Sequence, residues 1–208
     1  MRSRIGPNGV GRRGAAHVVD ASATVLGSSA LPSGLVSTPR AELSLSDWAV
    51  LGVVAEGPTH GWPVVRELAA DGAIGRIWTV SRPLVYRSIA TLLAAGLLEE
   101  CGQVIGGSGP KRSVVRVTRR GRDTLRRWLD EPVDHVREVR SELLVKLALL
   151  ARAGRPHDRL VERQLERLAP VFAAVTRRSR ADGFENVLAT WRREQALAVQ
   201  RFLRSQLH

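Results

Sequence analysis

A mainly α-helical fold carrying one small β-hairpin is predicted for this chain, and three features predict it. Apolar residues recur at helical spacing through most of residues 45–207. Helix stops at Gly57-Pro58, Gly96, Glu131-Pro132 and Gly154-Arg155-Pro156 cut that pattern into several short helices followed by two long ones. Between residues 97 and 118 the helical period gives way to two strand-like runs, Leu97-Leu98-Glu99-Glu100-Cys101 and Val114-Val115-Arg116-Val117-Thr118, around a Gly-rich loop that ends in Lys111-Arg112.

Taken in order, residues 1–39 are rich in Gly, Ser, Ala and Pro without periodicity, which predicts a disordered tail. His17 and Asp20 interrupt its only apolar stretch, so a secretory signal is not expected and the cytoplasm is. Ser44 and Asp47 have the spacing of a capping box for a first helix, whose Leu45, Trp48, Leu51 and Ala55 share a face. A second helix is expected over residues 62–70, with Pro63 in its first turn and Val65, Leu68 and Ala69 turned inward. A third covers residues 81–95, capped by Ser81, entered through Pro83 and stopped by Gly96. Its Val85, Ile89, Leu92 and Leu93 make an apolar face, while Leu84, Arg87, Ser88 and Thr91 form a face too polar for a core.

Three short helices followed by a hairpin is the order of a winged helix-turn-helix, expected over residues 40–132. Thr118 is placed to cap a fourth helix over residues 119–130 that buries Leu125, Trp128 and Leu129. A fifth runs over residues 137–153 with Val139, Leu143, Lys146, Leu147 and Leu150 along one stripe. The sixth, residues 157–180, carries Val161, Leu165, Leu168, Phe172 and Val175 at gaps of four and three, and Pro170 interrupts it. The last, residues 184–207, repeats those gaps as Leu188, Trp191, Gln195, Ala198 and Phe202. Such stripes exceed what a small winged helix covers. The same pair from a second subunit would cover them and make residues 133–208 a dimerisation domain; an intramolecular hairpin is the alternative.

Composition narrows the partners. With 32 Lys+Arg against 20 Asp+Glu in 208 residues, the formal charge is +12, which favours an anionic partner. No run of about 18 apolar residues offers a membrane span, so nucleic acid is preferred to a membrane. Lys111 and Lys146 are the only lysines; the arginines suit bidentate contact with phosphate or guanine, or equally reflect a GC-rich genome. The lone Cys101 excludes an internal disulfide and is expected as an apolar filler of its strand. The five histidines are scattered, no catalytic constellation is visible, and neither a cofactor nor a metal is expected. Gly106-Gly107-Ser108-Gly109-Pro110-Lys111 is not a phosphate loop, because Pro110 intervenes and a strand follows where a helix is needed.

Several pieces then fall in one order: Leu51-Gly52, Glu56-Gly57-Pro58, His60-Gly61-Trp62, Val85-Tyr86-Arg87, Ala95-Gly96-Leu97-Leu98, Lys111-Arg112, Val115-Arg116-Val117-Thr118, Gly121-Arg122 and Trp128-Leu129 before Pro132. Over residues 45–150 the chain resembles the PadR-like transcriptional regulators. The resemblance implies a dimeric repressor or activator with a winged helix-turn-helix and C-terminal dimerisation helices. Three departures stand out: Pro63 where the family has Glu, Trp62 in place of Tyr, and Arg82-Pro83-Leu84 in place of a Gly-containing start of the third helix. The last alters the residues nearest the bases, so no target sequence carries over.

On this reading Arg82, Leu84, Arg87, Ser88 and Thr91 contact bases or nearby backbone of operator DNA, with Arg87 the leading base reader. Tyr86 either sets its hydroxyl on a phosphate or belongs to the core. Lys111, Arg112 and Arg116 are wing contacts. Leu165, Leu168, Phe172, Leu188, Trp191 and Phe202 are assigned to the dimer interface. Trp128 and Trp191 are either core or the stacking faces of a pocket for a small aromatic effector. The competing function is a protein-interaction scaffold that keeps the fold without binding specific DNA.

Overall fold

The computed structural model describes residues 43–105, 111–176 and 182–207. The tail expected over residues 1–39, the tip of the wing and the end of the sixth helix lie outside them. Helix α1 (Leu45–Val54) is entered through a complete capping box: the Asp47 amide donates to Ser44 Oγ at 3.2 Å, and the Ser44 amide donates to the Asp47 carboxylate at 2.9 Å. Instead of one inward face, Ala49 to Val54 are buried without interruption. The helix is the hub of the molecule, packed by α2 (Gly61–Glu67), α3 (Arg82–Ala94), α4 (Arg119–Asp130) and α6 (Leu144–Arg152). Helix α2 is shorter than expected and turns Val64 and the following Leu68 inward, leaving Val65 and Ala69 half-buried.

Ser81 stands at the N-cap of α3, but its side chain makes no capping bond there; Pro83 in the first turn removes one of the amides needing a partner. At the other end Gly96 has φ +65°, a conformation glycine adopts without a Cβ penalty. The Leu97 amide then donates back to the Leu92 carbonyl at 2.9 Å and turns the chain into the hairpin. Strands β1 (Leu98–Ile105) and β2 (Lys111–Val117) pair antiparallel, from Leu98 opposite Val117 to Ile105 opposite Lys111. They therefore extend into the stretch expected as loop. The register slips between Glu100 and Gly102, and Cys101 at the slip is exposed, not an apolar filler.

Thr118 caps α4 as the sequence predicts, accepting from the Gly121 amide at 3.0 Å while its hydroxyl donates to the Gly96 carbonyl at 2.9 Å. One continuous helix follows, built of α5 (Val136–Glu138), a π-helical stretch (Val139–Leu143) and α6. The π stretch changes the helix phase, and Val145 and Leu149 join Lys146 and Leu150 in the interior. Arg152 at the end of α6 ties this helix to the first two: Nε and Nη2 donate to Glu56 at 2.5 and 2.7 Å, and Nη1 donates to Glu67 at 2.9 Å. Those carboxylates hold the guanidinium pKa above its ordinary value.

Helices α7 (Asp158–Thr176) and α8 (Gly183–Ser205) pack against each other within the chain. Leu168 and Phe172, assigned to a dimer interface, are thereby covered inside one protomer, at 0% and 5% exposure. On α8 the buried residues are Ala196 and Leu203, with Val199 and Phe202 half-buried beside them. No helix among the described residues is long and apolar enough to cross a membrane.

Candidate nucleic-acid interface

Helix α3 buries Val85, Ser88, Ile89 and Leu92, an i, i+3, i+4, i+7 set against α1 and α2. Ser88 is thus a correction: at 4% exposure it belongs to the packed side of the helix, because the contact with α1 claims a wider arc than the apolar residues alone mark out. What faces outward is Arg82, Leu84, Tyr86 and Arg87, with Thr91 half-buried at the edge. Leu84 is 40% exposed and Tyr86 45% exposed, which settles Tyr86 as a surface residue.

The Tyr86 ring lies against the backbone of Gly61 at the start of α2. A Cβ on Gly61 would fall 2.5 Å from Tyr86 Cε1 and 3.1 Å from its hydroxyl. The Arg82 guanidinium sits over the same ring, 5.9 Å from its centroid. Next to Gly61, His60 Nε2 is 3.4 Å from Arg112 Nη1 on β2. Their neighbourhood is fixed by backbone: the Thr59 amide donates to the Val115 carbonyl at 3.0 Å, and the Val115 amide donates to the Thr59 carbonyl at 2.8 Å. The turn before α2 thus joins the wing along β2, which lies between Thr59 and β1.

Among the described residues Arg82, Arg87 and Arg112 have no carboxylate partner, so this face presents unneutralised positive charge. Arg116 differs. It is paired across the sheet with Glu99, Nε to Oε1 at 2.7 Å, and that carboxylate raises its pKa above the usual arginine value. Lys111 begins β2 opposite Ile105.

Within one protomer Trp128 and Trp191 stand apart. Trp128 is buried and stacked on Trp48, ring centroids 4.8 Å apart and planes 3° from parallel. Its indole N–H donates to Glu142 at 3.1 Å, and Lys146 Nζ lies 4.8 Å from its ring centroid. Trp191 is 60% exposed on α8. Two shallow depressions, one beside Trp78, Arg137 and Arg140 and one beside Pro132 and Arg163, include neither Trp128 nor Trp191. Sequence reasoning did not assign His60 to the interface, although His60-Gly61-Trp62 was among the residues carrying the family resemblance.

Short helices around a buried hub, an outward basic helix and a hairpin tied to the turn before α2 make up a winged helix-turn-helix arrangement. The model described as the transcriptional regulator PadR-like family matches residues 50–127, the segment from α1 to α4, so this part of the chain is similar to that family. Similar solved structures include Bacillus subtilis PadR in complex with operator DNA, at 18% identity over 78% of this chain and 97% of that one, TM-score 0.41. The same protein in complex with p-coumaric acid matches at 15% identity over 79% and 97%, TM-score 0.39. The Vibrio cholerae virulence activator AphA matches at 22% identity over 78% and 94%, TM-score 0.35. No curated protein matches the chain in sequence.

Proposed function

We propose that the chain is a sequence-specific repressor that acts in the cytoplasm as a homodimer, residues 40–132 reading operator DNA and residues 133–208 joining the subunits. The observation that carries this reading is the outward face of α3, where Arg82, Leu84, Arg87 and Thr91 stand beside a wing bearing Arg112. A helix with such a face fits a major groove, and exposed Arg87 is the residue this reading assigns to guanine, through two bonds. Lys111 and Arg116 add wing cations, Arg116 after exchanging Glu99 for a phosphate. In a dimer the two α3 helices would enter successive grooves about 34 Å apart and read an inverted repeat.

Support for a second copy comes from α8. Phe184, Val187 and Trp191, spaced i, i+3, i+7, are 74%, 61% and 60% exposed, an apolar stripe separate from the one facing α7. Half-buried Leu165, Leu188 and Phe202 complete the set assigned to subunit contact. At that interface Trp191 offers a flat face for a small aromatic effector, which quenching of its fluorescence by a panel of aromatic acids would detect.

The reading is tested by titrating the protein against duplex from its own upstream region, against random duplex, and with an Arg87→Ala variant. Specific binding about 10³-fold tighter than random, relaxed in the variant, is the expected result. Equal affinity for both duplexes, untouched by Arg87→Ala and accompanied by no sequence enriched from a randomised library, overturns it.

A further inference from the structure

We infer that α3 reads pyrimidines by their C5-methyl groups: Leu84 and Ala90 each pack on one methyl, on opposite sides of the base pair held by Arg87. Thymine and 5-methylcytosine are then accepted alike, and unmethylated cytosine is not. The inference rests on the operator-binding reading and deepens it. On α3 the ridge farthest from the buried Val85, Ser88, Ile89 and Leu92 is formed by Pro83, Arg87, Ala90 and Ala94, all four exposed. Leu84, 40% exposed, flanks that ridge. Of these five outward side chains only Arg87 can form a hydrogen bond, and the others present carbon and hydrogen alone.

The remaining polar side chains of the helix are drawn off the ridge. The Arg82 guanidinium lies over the Tyr86 ring, 5.9 Å from its centroid, and that ring rests on Gly61 at the start of α2. Ser88 is buried and Thr91 is half-buried at the edge. One fork set among apolar atoms cannot distinguish the neighbouring base pairs by hydrogen bonds. The C5-methyl of thymine is the one methyl that the standard bases display in the major groove, and small apolar side chains recognise it by contact. Cytosine displays the same group only when methylated at C5.

Spacing agrees with this assignment. Leu84 and Ala90 stand three residues before and three after Arg87, each about 4.5 Å from it along the axis and turned about 60° in opposite senses. With base pairs about 3.4 Å apart, a helix laid along the groove sets the two on pairs either side of the one that Arg87 holds. Ala90 and Ala94 carry nothing beyond Cβ, so the backbone there can approach the floor of the groove closely.

The test uses the full chain and a duplex of about 30 base pairs enriched from a randomised library, long enough for two half-sites. The pair held by Arg87 is the one at which Arg87→Ala relaxes the preference. Around it each thymine is replaced in turn by deoxyuracil, which removes the methyl and keeps the pairing. Wild type should lose about fourfold in affinity at one thymine on each side. Leu84→Ala should abolish that sensitivity on one side and Ala90→Gly on the other. Each variant is compared with itself on two duplexes, so a reduced folded fraction cancels from the ratio. With cytosine in place of a sensitive thymine, adding the C5-methyl should restore about fourfold. If deoxyuracil binds like thymine throughout, if no thymine flanks the pair held by Arg87, or if both variants keep the wild-type sensitivity, the methyl reading is overturned while the regulator reading stands. If no sequence is enriched, both fall together.

Discussion

The side chain of Gln164 and the backbone of Val133 close a ring of two hydrogen bonds. The Val133 amide donates to Oε1 at 2.8 Å, and Nε2 donates to the Val133 carbonyl at 2.9 Å, with both residues buried. A primary amide carries both a donor and an acceptor and so completes both halves of a peptide group, joining α7 to the linker after α4 as if by one more rung of a sheet. Gln164→Leu keeps the volume but strands both backbone groups out of water. We expect a loss of about 2–4 kcal/mol, read as a lower urea midpoint with an unchanged m value. In Gln164→Glu only the protonated acid can donate to the carbonyl, so that variant should approach wild-type stability as the pH falls.

Lys146 supplies a pH signature. Its ammonium is buried at 1% exposure and donates to the Glu131 carbonyl at 2.7 Å, with Glu142 Oε1 at 2.8 Å. Burial draws its pKa below the ordinary lysine value of 10.5, while the Glu142 contact opposes the shift. With a depressed folded-state value, the unfolded chain binds more protons in the interval below 10.5, so folding gains stability there as pH rises. The stability difference between wild type and Lys146→Met should therefore move in favour of wild type as the pH rises towards 10.5. Paired urea titrations at several pH values measure it; a flat difference would show that burial does not disfavour the charged form.

Two glycines should respond oppositely to a methyl group. On Gly121 a Cβ would fall 2.1 Å from the Leu97 carbonyl oxygen, which cannot move without parting α4 from the base of the hairpin. Gly121→Ala should cost roughly 3 kcal/mol or more. Gly61→Ala meets only the exposed Tyr86 ring, which can swing away. It should leave the melting temperature within a few degrees of wild type and instead weaken DNA binding.

Trp191→Arg places a charge in the middle of the exposed stripe on α8. If that stripe is the subunit contact, sedimentation equilibrium should show self-association weakened by about tenfold or more, with the helical content of the protomer unchanged. A wild-type protein that is monomeric at micromolar concentration would remove the dimer from the proposal.

Local chemistry made much of this fold legible. Ser44 with Asp47, Thr118, Gly96 and Pro83 act within one turn of where they stand, and the helices they bound lie close to where the sequence predicts them. What escaped depends on distant partners. Ser88 is polar and small, and its burial follows from how closely α1 approaches. Lys146 sits in a stripe that any helical wheel would draw, yet a carbonyl and a tryptophan from another helix decide that its charge goes inside. Heptad spacing on α8 identified apolar residues but not which partner each stripe meets. One set faces α7 of the same chain, and Trp191 does not. At the interface, the proximity of His60 to Arg112 spans 52 residues and has no local signature.

The pairing of Thr59 with Val115 changes what the wing is mechanically. A hairpin anchored only at its two ends would be an arm that swings on its own hinge. Here β2 is pinned by the turn between α1 and α2, and that turn is braced by Arg152 through Glu56. A push on the wing is delivered to the end of the hub helix rather than absorbed in the hairpin, so the wing works as a lever whose fulcrum is the backbone at Thr59.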